Sequence, residues 1–197
     1  QTCLAHLARD AAFALEHGLP VYQPARIKTP EFEQVLVDLQ PELMVVVAFG
    51  QILSQRILDI PPYGCVNVHA SLLPRYRGAA PIHWSIIQGE TRTGVTTMFM
   101  DAGLDTGDML LKTEVEIGPE MVTEELHDAL MAAGATLMGQ TVEQIANGTI
   151  QREKQHDELS NYAPLLTKET GHIDWSQSAE AIHNLVRGLN SWPGAYT

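Results

Sequence analysis

Cysteine and long apolar runs are scarce in this sequence. Only two cysteines, Cys3 and Cys65, occur in 197 residues, and two widely separated thiols form neither a disulfide framework nor a zinc site. Sparing use of cysteine is typical of a reducing compartment, so we expect a cytoplasmic protein. No apolar run approaches the roughly 20 residues that a membrane-spanning helix needs. The sequence therefore argues against disulfide-stapled secreted domains and integral membrane proteins.

Positive charge is also in short supply. The chain has 12 lysines and arginines against 24 aspartates and glutamates, which gives a formal net charge of −12. This balance argues against broad electrostatic binding of nucleic acid, so any contact with RNA must be local. The 45% hydrophobic and 18% charged residues are typical of a globular protein. A length of 197 residues accommodates one ordinary domain and part of a second.

Hydrophobic periodicity predicts alternating helices and strands. Residues 43–48, LMVVVA, form a β-branched run typical of a strand buried on both faces. Residues 66–69 alternate valine with polar residues, which predicts a strand with one apolar and one polar face. The order predicts an α/β fold with a doubly wound, mostly parallel Rossmann-like sheet. Further predicted elements are helices over residues 2–17, 30–39 (with Thr29 as N-cap), 81–88 and 123–146, and strands over residues 21–23, 96–100 and 109–115.

Two polar side chains lie near the end of a strand within CVNVHASLLPRYRG, residues 65–78. Asn67 and His69 are two positions apart, so they project from the same face of the strand. Ligands of open α/β sheets gather outside the carboxyl ends of the strands. An amide donates hydrogen bonds to a developing oxyanion, and an imidazole transfers protons near neutral pH. The pair suits attack on a carbonyl carbon, although such a pair taken alone is more often structural.

A carboxylate beside the imidazole would favour the catalytic interpretation, because it would orient and charge the ring. The loop DAGLDTGD offers three candidates, Asp101, Asp105 and Asp108, and we interpret two of them as turn residues. Their spacing lacks the alternate-position ligands and the closing glutamate of an EF-hand. We therefore predict no calcium site and no other metal site.

The turn that follows His69 carries a hydroxyl and two cations. Ser71 has no G-x-S-x-G sequence around it, so we interpret it as a turn hydroxyl and not as a nucleophile. Arg75 and Arg77 lie beside the candidate site in an otherwise acidic chain. That position favours contact with an anion over an ordinary solvated pair.

Taken together, these motifs resemble one family. NVHASLLPRYRGAAPIHWSIIQGE, followed by TGVTTMFMDAGLDTGDML, is similar to the formyltransferases that use 10-formyltetrahydrofolate, and the likeness extends from about Leu4 to Tyr196. The resemblance implies that Asn67, His69 and Asp105 are catalytic. It implies a folate pocket walled by Phe49, Gly50, Ile52, Leu53, Asp101, Ala102, Gly103 and Leu104. It also implies an acceptor site formed by Ser71, Leu72, Leu73, Pro74, Arg75 and Arg77.

Within this family, the acceptor implied by the resemblance is methionyl initiator tRNA. GAAPIHW, GVTTMFMDAGLDTGDML and NSWPGAYT in combination are most similar to that branch. Other acceptors stay open, namely a sugar-nucleotide amine, glycinamide ribonucleotide, or water as in formyltetrahydrofolate dehydrogenase. A folate- or RNA-binding module without turnover also stays open. We expect a monomer that binds folate and tRNA and has no contact with a membrane.

The resemblance also divides the chain into three segments. Residues 1–148 are expected to form the catalytic domain, N-terminally incomplete because the family's first strand has no counterpart in the sequence. Residues 149–168, TIQREKQHDELSNYAPLLTK, lose apolar periodicity and are interpreted as a linker. Residues 169–197 are expected to begin a C-terminal tRNA-binding domain, also incomplete, since a lone helix does not bury its apolar face by itself.

Overall fold

The structure is a computed structural model that describes residues 11–197. Its strands are β1 (Met44–Val47), β2 (Cys65–His69), β3 (Arg77–Gly78), β4 (Arg92–Phe99), β5 (Met109–Glu116) and β6 (Tyr162–Ala163). Its α-helices that lie wholly within the described residues are α1 (Pro30–Leu39), α2 (Gln55–Leu58), α3 (Pro81–Ile87), α4 (Thr123–Ala146) and α5 (Ala179–Gly188). Short 3₁₀ turns cover Asp157–Leu159 and Glu169–Gly171.

The main sheet has the strand order β1-β2-β4-β5. β1 and β2 run parallel, whereas β4 is antiparallel to both β2 and β5. The loop between β4 and β5 is too short for the crossover that a parallel connection needs. α4 packs on one face of the sheet, and residues of α1 and α2 pack on the other. Helices on both faces confirm the predicted α/β class. Within residues 11–197, the parallel pair of the main sheet is β1 with β2.

Helix boundaries follow the local signals in the sequence. Thr29 is the N-cap of α1, and its hydroxyl accepts a hydrogen bond of 3.3 Å from the Phe32 amide. α4 begins and ends at the predicted residues. Residues 11–16 are helical, and Gly18 follows in the left-handed region with φ 68°, which agrees with the predicted helix end. Residues 1–10 of that predicted helix lie outside the described residues.

Two strand predictions need correction. Residues 21–23 are irregular; Pro20 and Pro24 flank them, and proline donates no hydrogen bond to a strand ladder. β1 is not buried on both faces, because the side chains of Val45 and Val47 are exposed. Within residues 11–197, β1 is an edge strand of the main sheet, and α4 packs over β4 and β5 instead.

The largest core cluster lies between α4 and the sheet. Leu126, Leu130 and Leu137 are buried against Val95 of β4 and Ile86 of α3. Burying an aliphatic side chain of this size contributes about 1.5–3 kcal/mol, so one face of α4 holds the helix on the sheet. The opposite face is exposed and mixes acidic and polar residues with apolar ones such as Met131 and Val142. No helix in residues 11–197 is long and apolar enough to cross a bilayer.

The C-terminal segment packs on the sheet domain. β6 pairs in parallel with β3, which sets Arg77 beside Tyr162 and Gly78 beside Ala163. α5 packs against α3 through a buried cluster that includes Leu189. Part of the predicted linker, residues 149–168, is thus attached to the turn that follows β2.

Candidate active site

Strand alternation on β2 sends two polar side chains to one face. Val68 packs against the core beneath α4, so Asn67 and His69 project from the opposite face. In register, Asn67 lies beside Met98 and His69 beside Thr96, both on β4. Two groups able to act on a carbonyl therefore share one face near the carboxyl end of β2.

His69 is buried and has a different neighbour at each ring nitrogen. Its Nε2 lies 2.9 Å from the carbonyl oxygen of Tyr76. A carbonyl oxygen can only accept, so Nε2 carries a proton and donates it. Its Nδ1 lies 3.7 Å from Oδ2 of Asp105, which is longer than a hydrogen bond. Nδ1 is therefore the ring atom that still has room for a further partner.

Asp105 is the aspartate of the loop DAGLDTGD that meets His69. Its Oδ2 accepts a hydrogen bond of 2.8 Å from the Gly78 amide. Its backbone lies in the left-handed region, with φ 54°, a conformation that residues other than glycine adopt rarely. The loop thus sends this carboxylate back across to the turn after β2.

The other two candidate aspartates serve local structure. Oδ1 of Asp101 accepts hydrogen bonds from the Gly103 amide at 3.0 Å and from the Thr106 hydroxyl at 2.7 Å. Such contacts to nearby residues are typical of an Asx turn. Asp108 pairs with Arg152 through an Nε–Oδ2 distance of 3.0 Å. Asp101 is therefore a turn residue, as the sequence predicts, whereas Asp108 forms an ion pair that the sequence does not indicate.

The Asn67 amide is half-buried and open. Among the residues that the structure describes, no hydrogen-bond partner meets this side chain. An amide with unused donors on the face shared with His69 can bind a carbonyl oxygen or an oxyanion.

The hydroxyl group of the SLLP turn, on Ser71, is buried within the turn. Ser71 is fully buried and donates a hydrogen bond of 2.6 Å to the Arg75 carbonyl oxygen. Leu73 is also buried, and its amide donates to Thr96 Oγ1 at 3.1 Å. Neither side chain reaches the surface, and the predicted contact of both with the acceptor stays a prediction. Leu72 and Pro74 are half-buried, so their contact with an acceptor stays a prediction.

Both arginines of the predicted acceptor site already have carboxylate partners. Arg75, with 51% of its side chain exposed, pairs with Glu90, which also accepts a hydrogen bond from the Tyr76 hydroxyl. Arg77, with 12% exposed, binds Asp157 at 2.8 Å. A phosphate would compete with these carboxylates, and it reaches Arg75 more easily than Arg77. Burial, with the hydrogen bond to Glu90, raises the pKa of the Tyr76 phenol, so it stays a donor at neutral pH.

The predicted folate residues differ in their exposure. Phe49, Ile52 and Leu104 present apolar side chains that are 44%, 71% and 52% exposed. Gly50, Asp101, Ala102 and Gly103 are exposed in the same two loops. Leu53, by contrast, is buried in the core beside Ile57 and Cys65. Its side chain supports the loop from beneath, and its contact with a folate stays a prediction.

Sequence reasoning missed three groups that hold the site. The Tyr76 carbonyl and the Gly78 amide bind His69 and Asp105, and the glycine of the RYRG motif was the signal for the second. The third group is Gln155, in the predicted linker, which donates to the Asp105 carbonyl oxygen at 2.8 Å. Nothing in the linker sequence marks Gln155, because its partners are distant in the chain.

No group of three or more histidine, cysteine or acidic side chains in residues 11–197 is arranged to hold a metal ion. Cys65 is buried near Asp59, and burial, followed by that negative charge, raises the pKa of its thiol to about 11. The thiol is thus protonated at neutral pH and a poor nucleophile.

Comparison with known families gives two matches along the chain. The sequence model described as "Formyl transferase" matches residues 3–142. The model described as "Formyl transferase, C-terminal domain" matches residues 165–197.

Curated relatives are similar over nearly the whole chain. Methionyl-tRNA formyltransferase of Ruminiclostridium cellulolyticum is 58% identical over 185 residues, which is 94% of this chain and 59% of the relative. The protein of that name from Geobacter metallireducens is 58% identical over 93% of the chain and 59% of its own length. The protein from Clostridium perfringens is 60% identical over 93% and 60%. The chain spans about three fifths of the length of these relatives.

Solved structures with low identity share the fold. A sugar N-formyltransferase from a Shewanella species superposes with a TM-score of 0.78 at 22% identity, covering 94% of this chain and 74% of that one. HypX from Aquifex aeolicus in complex with tetrahydrofolic acid gives 0.72 at 18% identity, covering 85% and 29%. At such identities the likeness establishes the fold alone.

Proposed function

We propose, because the chain belongs to the formyl transferase family, that the protein transfers a formyl group from 10-formyltetrahydrofolate to the amino group of methionyl initiator tRNA. The observation that carries the proposal is the arrangement of Asn67, His69 and Asp105 around the end of β2. The relatives named methionyl-tRNA formyltransferase support the choice of acceptor.

Asn67 is assigned to the formyl oxygen. Attack of the acceptor amine on the formyl carbon moves negative charge onto that oxygen. The Asn67 side chain, which lacks a partner within residues 11–197, can donate a hydrogen bond to it. Loss of one such donor typically costs about 3 kcal/mol of transition-state stabilisation.

His69 is assigned to the proton. Its Nε2 is committed to the Tyr76 carbonyl oxygen, so Nδ1 is the atom that serves the reaction. Nδ1 takes the proton that the amine loses on attack, directly or through water. The Asp105 carboxylate, 3.7 Å away, compensates the positive charge on the ring and keeps Nδ1 turned toward the site.

The residues predicted to meet the formyl donor fit its chemistry. The donor supplies an activated formyl group on a flat, aromatic pterin. Phe49, Ile52 and Leu104 offer exposed apolar side chains of the kind that contact aromatic rings. The role of these loops in holding the donor is part of the proposal.

Arg75 is the residue we assign to the phosphates of the acceptor. It lies close to His69 in sequence and has half of its side chain exposed. The chain is acidic and has few exposed arginines or lysines near the site, so we expect the contact with the acceptor to be local.

We further infer a monomer that works in the cytoplasm, where initiator tRNA is charged with methionine. Light scattering after size-exclusion chromatography checks that the protein is a monomer.

A competition assay tests the proposal. The full-length protein is given 10-formyltetrahydrofolate and either methionyl initiator tRNA, glycinamide ribonucleotide, an amino-sugar nucleotide or buffer alone. We expect kcat/KM for methionyl initiator tRNA to exceed the others by orders of magnitude, and the Asn67→Ala/His69→Ala double variant to be inactive. A higher kcat/KM for another acceptor overturns the choice of tRNA. Folate binding without any transfer overturns the assignment as an enzyme.

A further inference from the structure

Gln155, in the segment between the two family matches, contacts both halves of the candidate site. Its Nε2 donates hydrogen bonds of 2.8 Å to the carbonyl oxygens of Asp105 and Gly107. Its Oε1 accepts a hydrogen bond of 3.0 Å from Nε of Arg77. One amide thus joins the loop that carries Asp105 to the turn that carries Gly78, and both of its polar ends are used.

The backbone at Asp105 needs such support. Its φ of 54° is in a region that costs a non-glycine residue free energy unless surrounding contacts hold it. The two carbonyl groups bound by Gln155 lie on either side of Thr106, so a single side chain fixes the direction of this backbone. That direction determines where the Asp105 carboxylate lies relative to His69.

The turn on the other side is held by the same segment. Asn161 accepts hydrogen bonds from the amide of Tyr76 through its side chain and from the amide of Arg77 through its carbonyl oxygen. Gly78, the residue after Arg77, then donates to Asp105. The partners of His69 and Asp105 in the turn are therefore fastened to residues 155–163.

We propose that Gln155 is a positioning residue for the reaction: it holds Asp105 in register with the Gly78 amide and with Nδ1 of His69. The proposal rests on the proposed function and adds to it that the predicted linker is part of the active-site architecture. Gln155 itself touches no reacting atom. It acts through Asp105, whose displacement changes the surroundings of Nδ1.

Steady-state kinetics of Gln155→Ala in the full-length protein give the first test. A misplacement of about 1 Å in a catalytic group costs up to about 100-fold in rate, so we expect kcat to fall about 10- to 100-fold. KM for the formyl donor should stay near the parent value. The matched control is Gln151→Ala, which removes an exposed glutamine of the same segment whose side chain makes one long contact, 3.4 Å, to the Thr149 carbonyl oxygen.

Hydrogen exchange at the Gly78 amide gives a second test that needs no substrate. That amide is bound to Oδ2 of Asp105, so displacement of Asp105 should speed its exchange while amides in β4 and β5 keep their rates. This measurement distinguishes a failure of one proposal from a failure of the other. If the parent protein transfers no formyl group, the proposed function is wrong. The exchange rate of the Gly78 amide still tests whether Gln155 positions Asp105.

The outcomes are distinct. Lower kcat with faster Gly78 exchange in Gln155→Ala, and neither in Gln151→Ala, supports the positioning role. Parent-like kcat, or parent-like exchange at Gly78, overturns it. Should the alanine variant fail to fold, Gln155→Glu serves instead, because a carboxylate keeps the contact with Arg77 and loses both donors; it is expected to show the same two losses.

Discussion

The amide of Gly78 donates a 2.8 Å hydrogen bond to Oδ2 of Asp105, the same oxygen that faces Nδ1 of His69 at 3.7 Å. Only glycine suits this position. Its φ is 116°, and a Cβ atom there would lie 2.5 Å from a ring carbon of Tyr162 and 2.7 Å from the carbonyl oxygen of Ala163. The last residue of RYRG thus lets β3 approach β6 and directs an amide at the carboxylate of Asp105.

Gly78→Ala is therefore expected to damage both activity and stability. The added methyl group must push β6 away, which moves the amide from Asp105, so kcat should fall about 10- to 100-fold. The strained φ should cost about 1–3 kcal/mol of unfolding free energy. Enzyme kinetics and thermal unfolding measure the two effects. Gly139→Ala, a helix position with nothing within 4 Å of the new Cβ, is the control: its kcat should match the parent, and its unfolding free energy should be equal or up to about 1 kcal/mol higher, because alanine favours a helix. A Gly78→Ala variant that behaves like this control would contradict the role of the amide.

His69→Ala removes the proposed proton-transfer group. We expect turnover to fall by about two to four orders of magnitude, the range for a positioned acid or base. Affinity for the formyl donor should change little, because Phe49, Ile52 and Leu104 are untouched. Single-turnover transfer and equilibrium donor binding separate these effects. Activity within a few-fold of the parent would exclude His69 from the mechanism.

Asn67→Ala removes the proposed donor to the formyl oxygen. A loss of about 3 kcal/mol in transition-state stabilisation should appear in kcat, with donor affinity preserved. Asn147→Ala, at the exposed C-cap of α4, controls for the loss of an amide elsewhere. If only KM changes, Asn67 binds substrate and does not act on the transition state.

Local signals were enough to predict much of this fold. The N-cap at Thr29 and the bounds of α4 follow from residues adjacent in sequence. The common face of Asn67 and His69 follows from strand alternation. These features depend on contacts within one element, which is the range over which sequence patterns are reliable.

Features that depend on contacts between residues distant in the chain could not be predicted from the sequence. Gln155 is 50 residues from Asp105 along the chain, and only the fold brings them together. Leu53 and Leu73 look like neighbours of exposed site residues, yet tertiary packing buries both. The exposure of Val45 and Val47 likewise depends on which elements cover β1. An apolar run predicts a strand but does not determine what packs against each face.

Cys65 makes stability depend on pH in the alkaline range. Its thiol has a pKa of about 11 in the folded chain against 9.0 for an unperturbed thiol. Between these values the unfolded chain loses the proton while the folded chain keeps it, so rising pH favours unfolding. The loss should reach about 2 kcal/mol by pH 11 and be absent below pH 8.

Denaturant unfolding of the parent and of Cys65→Ala between pH 8 and pH 11 measures this effect. Other groups titrate equally in both proteins, so the difference in slope belongs to Cys65. The parent should lose more stability than the variant as pH rises. Parallel curves would show that the thiol ionises as easily in the folded chain as in the unfolded chain.

Arg75 and Arg77 are expected to respond differently to removal, although they are one residue apart. Arg75 is half-exposed and held by Glu90 alone among the acidic residues of the described chain, so a tRNA phosphate can compete for it. Arg75→Ala should weaken binding of methionyl initiator tRNA and lower the slope of log K against log salt by about 1, the value for one phosphate contact.

Arg77 is largely buried between Gln155 and Asp157. Arg77→Ala should therefore lower kcat by loosening the Asp105 loop, and it should leave the salt slope unchanged.

Glu90→Gln distinguishes a phosphate contact from a purely structural ion pair. It removes the competing charge and keeps a hydrogen-bonding partner for Arg75 and for the Tyr76 hydroxyl. If Arg75 binds phosphate, freeing it should tighten tRNA binding, most strongly at low salt where surface charges are least screened. Formyl-donor hydrolysis without tRNA should stay constant in Arg75→Ala and Glu90→Gln. A salt slope that both variants leave unchanged would return Arg75 to the role of a surface ion pair that anchors Tyr76, and the phosphate contact would have to be sought elsewhere in the protein.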